Sequence, residues 1–244
     1  MTWDRSRGRP EPIRALNKIK EWESGEPLVA ISDACPSVIV FRESVIPYLR
    51  QTVCQMLEQA AKSLPDGYHI GVIDAWRPFH RQVKLYEWLW TCLEVAKPGL
   101  PHATKRRMVN RFVAPVDQPA PPGHTTGAAV DVWLIKTDRT PYDVSSPFTD
   151  RLRGAPTYVY GLTEEAQQNR DLLVNAMLDA GFSNCRDEWW HYSFGDAGWA
   201  VRTGATECTY GRIDLDPKLY RIQERAWDIR MISRENPFIP GQEW

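Results

Sequence analysis

Nineteen prolines spread along 244 residues constrain this chain's fold more than any other sequence feature. Each proline fixes φ and removes a backbone donor, so it interrupts helices and is excluded from central strands. Four of them fall within residues 115–123, which must form an extended loop. An all-helical bundle is therefore excluded. The proline-rich loops are also too long and irregular for the strand–helix alternation of a doubly wound sheet.

Between these breaks, apolar spacing predicts helices over residues 44–64 (Ser44 as N-cap), 79–96, 103–113 and 163–180. Strands are predicted over 69–74, 128–135 and 189–194, and short strands or a surface loop over 28–41. Residues 137–157 read as a loop. The expected class is α+β, a single domain with a small, mainly antiparallel sheet flanked by helices. Residues 1–27 are polar and read as an N-terminal arm with at most a short helix, and 28–216 as the main domain. Leu219, Ile222, Ala226 and Ile229 keep helical spacing, so 217–244 are expected to form a helical extension packed on that domain.

Thirty basic against 31 acidic residues leave a net charge of −1, which supplies no field for nucleic acid or an anionic membrane. Hydrophobic residues at 43% and charged residues at 25% exclude a disordered or fibrous chain. No apolar run approaches the roughly 18 residues of a membrane span. The basic stretch MTWDRSRGRPEPIR is followed by no apolar core of a secretory signal, so a cytoplasmic location is expected. Five cysteines without a CxxC pair point the same way, towards reduced thiols rather than a disulfide framework or a Cys-rich zinc site.

Only five histidines are available for chemistry. His69, His80 and His102 sit in no recognisable pattern. His124 lies in a glycine-flanked loop, PGHTTGAAVD, with Asp131 seven residues on inside the predicted strand; imidazole nitrogen and carboxylate oxygen are both zinc ligands. His191 lies in DEWWHY. On a strand, Glu188 and His191 would face opposite ways, so Glu188 must sit on a bend before the strand. From there it can exchange a proton with a water on a metal that His191 holds. Either pair alone is better read as a buried histidine hydrogen-bonded to a carboxylate. The absence of HExxH excludes the helix-borne zinc peptidases.

Taken together, GHTTGAAVDV and the later EWWHY resemble the zinc D-alanyl-D-alanine dipeptidase family (VanX-like metallopeptidases), with its His-x6-Asp and Glu-x2-His segments. A third block, Asp74-Ala75-Trp76-Arg77-Pro78, is similar to the family's D-x-Y-R-P, with Trp76 in place of tyrosine. The blocks occur in the family's order, and the similarity covers roughly residues 40–211.

The resemblance implies one Zn²⁺ per chain held by His124, Asp131 and His191, with Glu188 as general base and acid. It implies that Arg77 stabilises the oxyanion, and Asp74 is placed to hold that guanidinium. Asp143 resembles the residue that binds the substrate's ammonium group, and Trp76, with Trp133, Trp189 and Trp190, adjoins the catalytic blocks as a candidate wall. The implied reaction is hydrolysis of a small dipeptide such as D-Ala-D-Ala by a zinc-activated water. The same site chemistry also fits a zinc hydrolase or lyase for another small metabolite, a D,D-carboxypeptidase on peptidoglycan stems, or a non-catalytic zinc module.

Overall fold

Five strands form the central sheet, in the order Ile39–Val40, His69–Asp74, Ala129–Ile135, His191–Ser193 and Ser183–Asn184. Only the first pair is parallel; every other pairing is antiparallel, as expected for this α+β domain. The computed structural model describes residues 10–148, 151–229 and 235–239. Parts of the arm and of the C-terminal extension expected from the sequence lie outside those residues.

Local chemistry explains where the elements begin and end. The Phe79–Ala96 helix starts after Pro78, whose extended conformation suits an N-cap, and stops before Pro98. In Glu164–Asp179, Thr163 Oγ1 accepts the Ala166 amide at 3.1 Å, and Gly181 follows at φ +100°. The helix expected over 44–64 is shorter, Gln51–Lys62. Pro47 disfavours helix at Ile46, and Tyr48–Arg50 instead pairs antiparallel with Leu28–Ala30.

Gln51–Lys62 and Glu164–Asp179 contribute to the main apolar core on one face of the sheet. Val53, Leu57, Leu173 and Met177 pack there with Ile70, Val72, Val130, Val132 and Leu134. Burying each such side chain contributes about 1.5–3 kcal/mol. Residues 20–27 are joined to the body, since Lys20–Glu21 pairs in parallel with Glu207–Cys208. At the other end, Glu224 of the Arg221–Ala226 helix accepts from Arg81 Nε at 2.9 Å. Among the described residues no helix is long and apolar enough to cross a membrane.

Candidate active site

The central strand Ala129–Ile135 is the platform. Val130, Val132 and Leu134 are buried in the core, so Asp131 and Trp133 project from the opposite face. Asp131 is paired with His191 on one neighbouring strand and with Asp74 on the other, and cross-strand partners share a face. Asp74 reaches that position through a bulge. Gly71 pairs with Trp133 and Val72 with Val132, so in regular register Ile73 would oppose Asp131; the shift between Val72 and Asp74 brings the carboxylate there instead.

His124 arrives from a 3-10 turn, Gly123–Thr126, that precedes the strand. The turn needs its glycines. A Cβ on Gly123 would lie 2.4 Å from Asp196 Oδ2, and Gly127 sits at φ +70°. His124 Nδ1 donates to the Ala75 carbonyl at 2.8 Å, which leaves Nε2 as the nitrogen able to ligate a metal. That Nε2 lies 3.3 Å from Asp131 Oδ1, and His191 Nδ1 lies 2.9 Å from the same oxygen. Ligand atoms of His124, Asp131 and His191 all lie within 4.8 Å of one another, a grouping that can hold a metal ion.

Glu188 sits on the turn before the His191–Ser193 strand, with Oε2 4.0 Å from His191 Nδ1. Asn184 Nδ2 pins that turn by donating to the carbonyls of Glu188 and His191 at 3.2 and 3.0 Å. Arg77 completes the group. Its Nε and Nη2 donate to Asp74 Oδ2 at 3.0 and 2.5 Å, and Nη1 donates to Gln82 Oε1 at 2.7 Å. Gln82 is itself held by the Ala114 carbonyl at 2.9 Å.

Charge in the site is strongly coupled. Burial opposes ionisation of Asp131, but His124 and His191 outweigh it and hold the carboxyl well below its usual range. Burial likewise opposes a charge on His191, yet the hydrogen bond and charge of Asp131, with Glu188 behind them, push the imidazole up. Burial works against the Arg77 cation too, and Asp74, Asp131 and Glu188 overcome it. All these groups line one cavity of about 690 Å³, together with Trp88, Trp133, Trp189, Trp190 and Trp227.

Residues 48–208 match the family model described as D-ala-D-ala dipeptidase. The chain belongs to the D-Ala-D-Ala dipeptidase family. A Synechocystis sp. D-alanyl-D-alanine dipeptidase is 31% identical over 179 residues, covering 63% of this chain and 72% of that protein. An Escherichia coli (strain K12) D-alanyl-D-alanine dipeptidase is 25% identical over 131 residues, 54% of this chain and 58% of its own length. Among solved structures, a vancomycin-resistance D,D-pentapeptidase VanY in complex with Zn(II) aligns at TM-score 0.37 and 15% identity, over 81% of this chain and 90% of the other.

In this dipeptidase-family chain, six of the eight residues singled out from sequence come together: His124, Asp131, His191, Glu188, Arg77 and Asp74. Two do not. Trp76 is buried outside the cavity lining, donating from Nε1 to the Ile213 carbonyl at 3.0 Å and packing edge-on against Tyr220. It is a core residue: past the strand's end at Asp74, its amide donates to the Tyr48 carbonyl at 3.1 Å and its ring packs with Ile46 and Tyr220. Asp143 is exposed and lines no part of the cavity; its carboxylate accepts the Ser145 amide at 2.8 Å in a local turn. Gln82, the Ala75 carbonyl and the walls from Trp88 and Trp227 carry no sequence motif; only the tertiary fold brings them to the site.

Proposed function

We propose that this family member hydrolyses the peptide bond of a small dipeptide, with D-Ala-D-Ala as the reference substrate, at a single zinc site. The observation that carries this is the convergence of two imidazoles and one carboxylate beside a second carboxylate and a guanidinium in one cavity. The donor set fits zinc: two nitrogens and one oxygen leave a fourth tetrahedral position open, the pattern of catalytic rather than structural sites. His124, Asp131 and His191 would hold the ion, which when bound supplies a Lewis acid for the scissile carbonyl and acidifies a water.

The protein's own groups do the rest. Glu188 takes the proton of the attacking water and returns it to the leaving amine. Arg77, fixed by Asp74 and Gln82, offers its remaining N–H groups to the carbonyl oxygen as negative charge develops there. The tryptophan walls exclude bulk water from the reacting groups. Five free cysteines suit a reducing compartment, and the cytoplasm is the proposed site of action.

Release of D-alanine from D-Ala-D-Ala by the zinc-loaded protein tests this reading. Glu188→Gln should retain zinc and lose nearly all turnover; undiminished hydrolysis by the purified variant would remove Glu188 from its role. The cavity volume of about 690 Å³ favours a second reading of the substrate. Cavities of roughly 300–1,000 Å³ enclose drug-sized ligands, so a dipeptide with a bulky apolar or acylated end fits better than two alanines. A screen of D,D, L,D and N-acylated dipeptides separates the two.

A further inference from the structure

The turn that carries His124 has its carbonyls held from outside, one after another. His124 O accepts the Arg77 amide at 3.0 Å, and Thr125 O accepts the Ile213 amide at 3.1 Å. Thr126 O accepts Arg50 Nε at 2.8 Å, and Gly127 O accepts the Arg50 amide at 2.9 Å. Two of these four donors belong to Arg50. The turn also abuts Leu28, whose Cδ2 would lie 2.2 Å from a Cβ on Gly127.

Arg50 is fully buried and lines no part of the catalytic cavity. Its other donors are all occupied. Nη1 donates to Glu23 Oε1 at 2.8 Å and to the Glu26 carbonyl at 2.5 Å; Nη2 donates to Glu23 Oε2 at 2.9 Å and to the Gly211 carbonyl at 3.1 Å. Tyr210 lies beneath the guanidinium, 5.0 Å from its ring centroid, and its hydroxyl donates to Glu26 at 2.9 Å. A buried cation must be matched by a counter-charge and full hydrogen bonding, and both are supplied here from residues 23–26 and 210–211. Those residues lie outside the 48–208 range of the family match.

We propose that Arg50, with Glu23 as its counter-charge, is a positioning residue for the metal site. It holds the His124 turn so that Nε2 stays aimed at Asp131 and His191, and in doing so it sets metal affinity. The N-terminal stretch around Glu23 is thereby a working part of the metal centre. This rests on the zinc reading given above.

The test is zinc affinity of the purified full chain, measured by competition with a chromophoric chelator, alongside thermal melting without metal. Arg50→Lys keeps the charge and loses the fork; Glu23→Gln keeps the shape and loses the counter-charge. Glu94→Gln, which breaks the 2.5 Å Lys105–Glu94 pair elsewhere, serves as the control. Supporting contacts of metal ligands typically change affinity about 10–100-fold, and both Arg50→Lys and Glu23→Gln should weaken zinc binding within that range. Glu94→Gln should shift melting alone. If Arg50→Lys does not fold, Glu23→Gln decides, since its side chain is 39% exposed. Lowered melting with wild-type zinc affinity in Glu23→Gln would overturn the proposal and leave Arg50 a purely structural residue. A wild-type chain that binds no zinc would instead overturn the metal site itself, and this inference with it.

Discussion

Replacing Arg77 by lysine isolates what the guanidinium fork contributes. A guanidinium carries five N–H donors. Nε and one hydrogen of Nη2 are taken by Asp74, and one hydrogen of Nη1 by Gln82. One hydrogen on each terminal nitrogen is left for a ligand in the cavity that the side chain lines. Lysine keeps a charge but cannot satisfy Asp74, Gln82 and a carbonyl oxygen from one fixed plane. Losing a preorganised donor to a developing oxyanion costs about 10²–10³ in kcat, or ~2.7–4 kcal/mol. Arg77→Lys should fall in that range, with kcat and kcat/KM dropping together because the contact strengthens only in the transition state. Initial rates of D-alanine release, with zinc content measured on the same sample, supply the assay. Zinc content should not change, since Arg77 is no ligand. Wild-type kcat at full zinc content would refute the assignment.

Three further outcomes follow from the same geometry. Removing metal with EDTA should abolish hydrolysis, and added zinc should restore it; activity that survives verified metal loss would exclude the mechanism. Leu134 is fully buried at the centre of the sheet, so Leu134→Ala should cost about 2–5 kcal/mol. For a chain of this size that lowers Tm by roughly 4–20 °C, readable by circular dichroism. The hydrogen-bonded Arg106 fork holds Asp117 at about 2, below its ordinary range. A depressed carboxyl contributes stability that is full above its unfolded pKa, roughly 4, and is lost as pH falls through the folded value. Asp117→Asn should therefore show a flatter fall in stability across that acid window in urea titrations; identical acid limbs would count against the pair.

Where a residue's partners are near it in sequence, or a proline marks a boundary, the fold was legible beforehand. The helix Phe79–Ala96 lies between Pro78 and Pro98, and the strand His69–Asp74 follows the turn at Pro65. Ser183–Asn184 and Ala197–Thr203 are too short for periodicity to register, although Asp196 and Gly204 are ordinary cap signals for the second. In the site, the His124–Asp131 and Glu188–His191 pairs are local, so the sequence can nominate them, although family likeness rather than spacing singles them out. The contacts of Arg50 with Glu23 and Thr126 span 27 and 76 positions, and no periodicity encodes them. Asp143 and Trp76 show the converse. Their residue types suited a substrate pocket, but a local turn holds Asp143, and long-range bonds to the Tyr48 and Ile213 carbonyls hold Trp76 in the core.

The bulge after Val72 explains why this surface favours a cation. It places Asp74 directly across from Asp131, and like charges in opposed cross-strand positions repel. A fold serving stability alone would gain by replacing one of them. Here Arg77 covers Asp74, and two histidines share the oxygen of Asp131. Among the six clustered groups, with both imidazoles neutral, the carboxylates Asp74, Asp131 and Glu188 outnumber the Arg77 guanidinium by two charges. The protein answers that excess partly by pushing up the proton affinity of His191. A divalent ion held there would offset that local excess, and its binding would displace the proton, so metal affinity should rise with pH as the imidazole is freed. Carboxylate crowding that would weaken an ordinary sheet would thus favour a bound divalent ion, with the register shift as its structural cause.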